Sequence, residues 1–273
     1  LNSILINLSI GEVILRTRSF HQLTGYADKY LGEKGKIALT ISMVVGIYGA
    51  LIAYIIGVGE ALAVIFNSSN VLMFSLLFFV FVAVLVYLGL KSIAKSELFL
   101  SSLVVTLILV ISYICIFSGK MDIMRLADFN LSKIFIPYGV ILFAFIGAAA
   151  IPEMRGLLEH RKKDLKKAII IGSLIPLFLY AIFAFAVVSV FGKNVTEVAT
   201  VGLGLEFGHL VVVLANLFAV FAMTTSFLAL GLALKQMYHY DYGLNRKLSW
   251  SLACGVPLIL FFLGFKSFVN VIG

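Results

Sequence analysis

Three short groups of residues carry what chemistry this chain offers. The first is FAFIGAAAIPEMRG at residues 143–156. Gly147 and Ala148–Ala150 strip side-chain bulk from four consecutive positions, and Pro152 lacks an N–H and disfavours helix at Ile151. A helical hydrogen-bond ladder is therefore expected to fail just before the proline. Polar Glu153 and Arg155 follow within about one turn at 1.5 Å per residue. Unwound backbone offers free carbonyls and half-helix ends, the groups that hold an ion or a zwitterion away from water. An equally simple reading makes Pro152 a kink at a membrane boundary, with Glu153 and Arg155 among the headgroups. The second group is Thr224, Thr225 and Ser226. Hydroxyl oxygens with carbonyls suit a hard cation such as sodium, although such hydroxyls mostly bond their own i−4 carbonyls. The third is Tyr54, whose mid-helix hydroxyl needs a partner in protein, water or ligand. Tyr48 lies nearby, and Glu60 stands six residues further on, where a carboxylate reaches the interface or lines a vestibule.

Bond-breaking chemistry is absent from this pattern. None of His21, His160, His209 and His239 stands at a metal-ligand spacing or near a nucleophile, and Cys115 and Cys254 fall inside apolar runs. The glycines at 202–208 do not have dinucleotide-fingerprint spacing and follow no strand; a short amphipathic helix is expected there.

The elements that must position these groups are apolar helices. Hydrophobic residues form 62% of the 273, charged residues 12%, and mean hydropathy is +1.12. That excludes a soluble domain with one core and predicts an all-α polytopic membrane protein. About eight runs approach the roughly 20 residues that cross a bilayer: 1–15, 37–66, 70–90, 97–118, 134–152, 167–192, 208–237 and 247–270. No linker divides them, so residues 1–273 read as a single transmembrane domain. The segment 16–36 takes Gly25, Gly32 and Gly35 as turn points, and the mixed-charge loop 153–167 reads as helical. Gly46, Gly49/Ala50, Ala53, Gly57 and Ala61 form a small-residue stripe on one helix face, suited to close helix packing.

Charge orients the runs. Loops after the first, third, fifth and seventh carry sixteen Lys and Arg; the intervening loops carry four. The positive-inside rule places the sixteen in the cytoplasm. It also accounts for the net charge of +8 through anionic lipid, with no nucleic acid needed.

At these patches the chain resembles a known family. GAAAIPEMRG with KKAIIIGSLIPLFLYAIFAFAVVSVFG is similar to the sixth and seventh helices of the amino acid/auxin permease family, within the amino acid–polyamine–organocation superfamily. FAMTTSFLALGLALK resembles the eighth helix of its bacterial aromatic amino acid branch, GIYGALIAYIIGVGEAL the third, and IGEVILRTRSFHQLTGYADKYLG the end of the second with its following loop. The resemblance implies a LeuT-type inverted-repeat fold of which this chain covers helices two to nine, a fragment without the first helix and the last helices. It implies ion-coupled symport of an amino acid by alternating access, in a prokaryotic inner membrane. Phe145, Gly147, Ala148, Ala149, Ala150, Tyr54 and Ala50 would then line the substrate pocket. Thr224 and Thr225 would hold a sodium ion, unless a proton is the coupling ion. Glu153 and Arg155 become candidates for the gate, and the loop 193–208 for an outer lid. The small residues at 147–150 leave room for an aromatic or large neutral side chain. No cofactor is expected. Two alternatives stand beside this: a non-transporting sensor or scaffold on the same fold, and a permease of the superfamily for another small organic substrate.

Overall fold

The computed structural model describes residues 2–127, 147–158, 161–195 and 206–264. All their regular elements are helical. They are α1 (Asn2–Arg16), α2 (Leu23–Ile65), α3 (Val71–Leu88), α4 (Leu90–Phe117), α5 (Ile151–Leu157), α6 (Leu165–Phe191), α7 (His209–Gln236), α8 (Arg246–Trp250) and α9 (Val256–Phe262). Among the described residues five helices are long and apolar enough to span a membrane, within Leu23–Ile65, Val71–Leu88, Glu97–Phe117, Leu165–Asn194 and His209–Asp241. The chain is an all-α, multi-pass membrane protein. Of the remaining expected spans, the first forms the 15-residue helix α1. The other two, 134–152 and 247–270, lie partly outside the described residues.

α7 is the centre of the assembly, packing against α2, α3 and α4. The main apolar core joins Leu51 and Ile55 of α2, Val82 and Val86 of α3, and Phe227, Leu228 and Leu232 of α7. Phe227 meets Phe78 edge-on at 5.7 Å between centroids, the arrangement ring quadrupoles favour. A second cluster binds α4, α6 and α7 through Ile111, Cys115, Val187 and Ala215. A third ties α1 to α5 and α6 through Ile14, Ile151, Leu165 and Ile169. The opposite faces of these helices remain apolar and exposed: Leu77, Val80, Phe81 and Val84 on α3, Phe178 and Phe185 on α6. In lipid this surface needs no cover.

Two features depart from the sequence reading. Of the three expected turn glycines only Gly32 turns the chain, at φ 71°, ψ −172°, a conformation that L side chains avoid. Gly25 lies within helix for a packing reason: a Cβ there would run into the Asp241 carboxylate and come to 2.8 Å of His21 Cβ. The charged loop 153–167 is not one helix. α5 ends at Leu157, and α6 restarts at Leu165 after a 3₁₀ turn over Lys162–Asp164. Reversing the chain onto α1 and α6 overrides the local helical pairing.

α7 passes into a π turn at Met237–Asp241, and α8 into another at Ser251–Gly255. Both converge on Tyr48. Its hydroxyl donates to the Leu252 carbonyl at 3.0 Å and bonds the Tyr238 hydroxyl at 2.9 Å. π turns break the i→i−4 ladder, and Tyr48 occupies a carbonyl in one of them.

Candidate functional site

The GAAAIP segment is described from Gly147 onward, where it turns into a helix; residues 128–146, before it, lie outside the described residues. Ala148–Ala150 is a 3₁₀ turn entered from Gly147, and Ile151 is already helical at φ −64°, ψ −41°. Pro152 therefore occupies the first turn of α5, where its missing N–H costs nothing. The turn packs against α7 and α1. The Ala149 carbonyl accepts from Gln22 Nε2 at 3.3 Å, and a side chain at Gly147 would reach 3.8 Å from Asn7 Nδ2 of α1. Phe145 lies outside the described residues.

α7 links this turn to the α2 positions. The face of α2 that carries Ala50 and Ala53 is buried, and a Cβ at Gly57 would stand 2.7 Å from Met223 Sδ of α7. Tyr54 turns its hydroxyl toward Ser226 of α7, with Tyr180 of α6 nearby. Mid-bundle, three helices thus contribute two phenols and a hydroxyl to otherwise apolar surroundings. Thr224 donates to Val220 O at 2.6 Å, Thr225 to Ala222 O at 2.9 Å and Ser226 to Ala222 O at 3.0 Å. Each hydroxyl proton is spent on its own helix. The oxygen lone pairs stay available, which is what a cation would use.

Glu153 and Arg155 are both buried, at 6% exposure each, and so do not lie free in the headgroups. Arg155 donates from Nη1 to Ser19 O at 3.0 Å and the Tyr26 hydroxyl at 3.1 Å, and from Nη2 to Thr17 O at 2.9 Å and Arg18 O at 3.2 Å. It clamps the 17–19 connection onto α5. Glu153 Oε1 is buried without a hydrogen-bond partner. Burial pushes its carboxyl well above the usual carboxylate range, and Glu97 of α4 pushes the same way. Glu153 sits on the short α5, outside the five spanning helices.

A second anchor escaped the sequence reading. Asp241 reaches across to the start of α2, accepting from Gln22 N at 3.0 Å, Thr24 Oγ1 at 2.6 Å and Gly25 N at 2.7 Å. It caps a helix whose own N-cap residue is Gln22. The available signal was an acid closing a long apolar run, paired with a glycine in the first turn of a helix far away in sequence.

At the other end of the bundle Glu60 lines a cavity of about 760 Å³ with Asn67, Ser68 and His209, in keeping with a vestibule. Of the 193–208 segment, residues 196–205 lie outside the described residues; its Glu206 pairs with Lys120 at 2.8 Å. Groups of three or more metal-ligating side chains are absent among the described residues.

Residues 2–273, nearly the whole chain, match the tryptophan/tyrosine permease family. The chain belongs to that family. Its members are permeases, not enzymes. Among curated relatives, the permease is 24% identical over 278 residues to glutamine transporter 2 of Aliivibrio fischeri, covering 97% of this chain and 71% of that protein. It is 24% identical over 272 residues to tyrosine-specific transport system 1 of Haemophilus influenzae, covering 90% of this chain and 66% of that protein. No solved structure matches it.

Proposed function

We propose that this permease is the main part of an ion-coupled amino acid symporter of a bacterial inner membrane, working by alternating access on a LeuT-type scaffold. Family membership supports an amino acid substrate. The observation that supports the reading further is the 3₁₀ turn at Ala148–Ala150, packed against α7 and α1. Backbone that leaves the α-helix inside a bundle is tolerated where it is buried or lines a cavity, and its free groups suit the charged ends of an amino acid. Gly147, Ala148, Ala149, Ala150, Ala50 and Tyr54, with Phe145, form the substrate set. Their small side chains suit an aromatic or large neutral substrate. The curated relatives are named for tyrosine in one case and glutamine in the other.

Thr224 and Thr225 are the cation ligands in this reading. The orphaned buried oxygen of Glu153 favours a second one, in which the coupling ion is a proton carried by that carboxyl. Uptake of tyrosine, tryptophan and glutamine into liposomes holding the full-length protein, under separate sodium and proton gradients, separates the two. Sodium-driven uptake lost in Thr225→Val supports the first; proton-driven uptake lost in Glu153→Gln supports the second. Absence of gradient-driven uptake and of counterflow for every amino acid would sink the symporter reading and favour a sensor.

A further inference from the structure

The four connections that follow the first, third, fifth and seventh apolar runs meet around one cavity of about 610 Å³. It is lined by Arg18 before α2, Tyr87–Gly89 between α3 and α4, Arg155 of α5, and Lys235, Gln236, His239 and Arg246 around the α7–α8 connection. Among the described residues no aspartate or glutamate lines it. Two of its cations are built into the wall rather than waving from the surface: Arg155 at 6% and Lys235 at 8% exposure. Among the described residues both are held by neutral acceptors. Arg155 has the carbonyls and phenol described above, and Lys235 donates to Val86 O at 2.7 Å and Tyr87 O at 2.9 Å. Among the described residues neither they nor Arg18 and Arg246 form an ion pair with a carboxylate.

Buried charge ordinarily comes with a counter-charge, and the described residues supply none here. Phe20 and Tyr87 add aromatic faces to Arg155 and Lys235, at 6.0 and 5.9 Å, which fix the cations without neutralising them. A different kind of observation comes from Gln236. It is 7% exposed, lines the same cavity, and its Oε1 is buried with no hydrogen-bond partner. That oxygen calls for a donor, while the four cations call for an anion. One small ligand class satisfies both: a phosphate ester carrying a free hydroxyl. Arginine holds phosphate oxygens in a fork, lysine as a point charge.

We propose that this cavity is a binding site for a hydroxyl-bearing phosphate ester, with the phosphate among Arg18, Arg155, Lys235 and Arg246 and a hydroxyl donated to Gln236 Oε1. The ester reaches it as the headgroup of an anionic phospholipid or as a soluble phosphate. Bound there, it ties the 17–19 connection, the α3–α4 turn, α5 and the α7–α8 connection together, independently of whichever amino acid the permease carries.

The test uses the purified full-length protein in neutral detergent. Thermal unfolding is followed while dioctanoyl phosphatidylglycerol, dioctanoyl phosphatidylcholine or glycerol 3-phosphate is titrated. A saturable rise in midpoint with phosphatidylglycerol or glycerol 3-phosphate, and none with phosphatidylcholine, is expected; the stronger of the two responders identifies the source. Arg18→Gln/Arg246→Gln changes two exposed side chains with no ion-pair partner among the described residues, so it melts like the parent without ligand and needs at least ten times more ligand for the same rise. Arg161→Gln, a basic position outside the cavity, responds like the parent. Three results would overturn the proposal: no saturable response to either phosphate ester, a full response in the double variant, or an equal loss in Arg161→Gln.

Discussion

Asp241→Asn is the sharpest test of how the permease holds its helix ends together. The carboxylate is fully buried and accepts three hydrogen bonds from the first turn of α2. Two of them, from Thr24 Oγ1 and Gly25 N, fall on Oδ2, and the third, from Gln22 N, falls on Oδ1. An asparagine keeps the first two by placing its oxygen at the Oδ2 position. Its NH₂ then faces the Gln22 N–H, donor against donor. Leaving that buried N–H unmet costs about 1–3 kcal/mol, and each retained bond loses about 1 kcal/mol of charge assistance. Relief from burying a charge returns about 1–2 kcal/mol. The net loss is about 1–4 kcal/mol, which for a chain of this size lowers the melting midpoint by roughly 2–16 °C. The assay is thermal unfolding of the purified full-length protein in detergent, with Asp28→Asn alongside. Asp28 is exposed and pairs with Lys36 at 2.9 Å, a contact worth at most about 1 kcal/mol. If Asp241→Asn melts within about 1 °C of the parent, or no lower than Asp28→Asn, the cap does not bear the structural weight assigned to it.

Gly25→Ala presses a methyl group into that same carboxylate and is expected to cost about 1–3 kcal/mol by overpacking, seen as a lower midpoint in the same melt. Tyr48→Phe removes the donor to Leu252 O and the partner of the Tyr238 hydroxyl; a loss of about 1–2 kcal/mol is expected, with faster amide exchange across residues 237–255. Glu153→Gln should melt no lower than the parent near neutral pH, because the glutamate has no ion-pair partner to lose among the described residues. The pH dependence carries a sign. A carboxyl raised in the folded state binds its proton more tightly folded than unfolded, so stability is greatest below the unfolded value near 4.5 and falls as pH rises toward the folded one. The parent midpoint should drop with pH across that window and the Glu153→Gln midpoint should drop less; parallel curves would remove Glu153 from the argument.

Composition alone determined the solvent of this protein. An apolar majority in long runs admits helices in a bilayer and little else, because every buried backbone group must be satisfied within its own segment. Local chemistry also placed Pro152 at a helix start, since a residue without an N–H fits the first turn, and loop charge grouped the four basic connections that meet at one end of the bundle. Partners separated by a hundred or more residues were not legible. Nothing around Asp241 announces that it caps α2, or around Arg155 that it clamps residues 17–19, because a hydrogen bond depends on where two backbones cross and not on neighbours in sequence. Gly25 shows the limit most plainly. Read locally it is a turn glycine, yet it sits inside a helix and is small because a carboxylate from the other end of the chain occupies the space. Tyr48, Gln22 and Gln236 follow the same logic: residue type announces a need for a partner, and only the packing of α2 against α7 and its π turn decides which partner is met and which is left open.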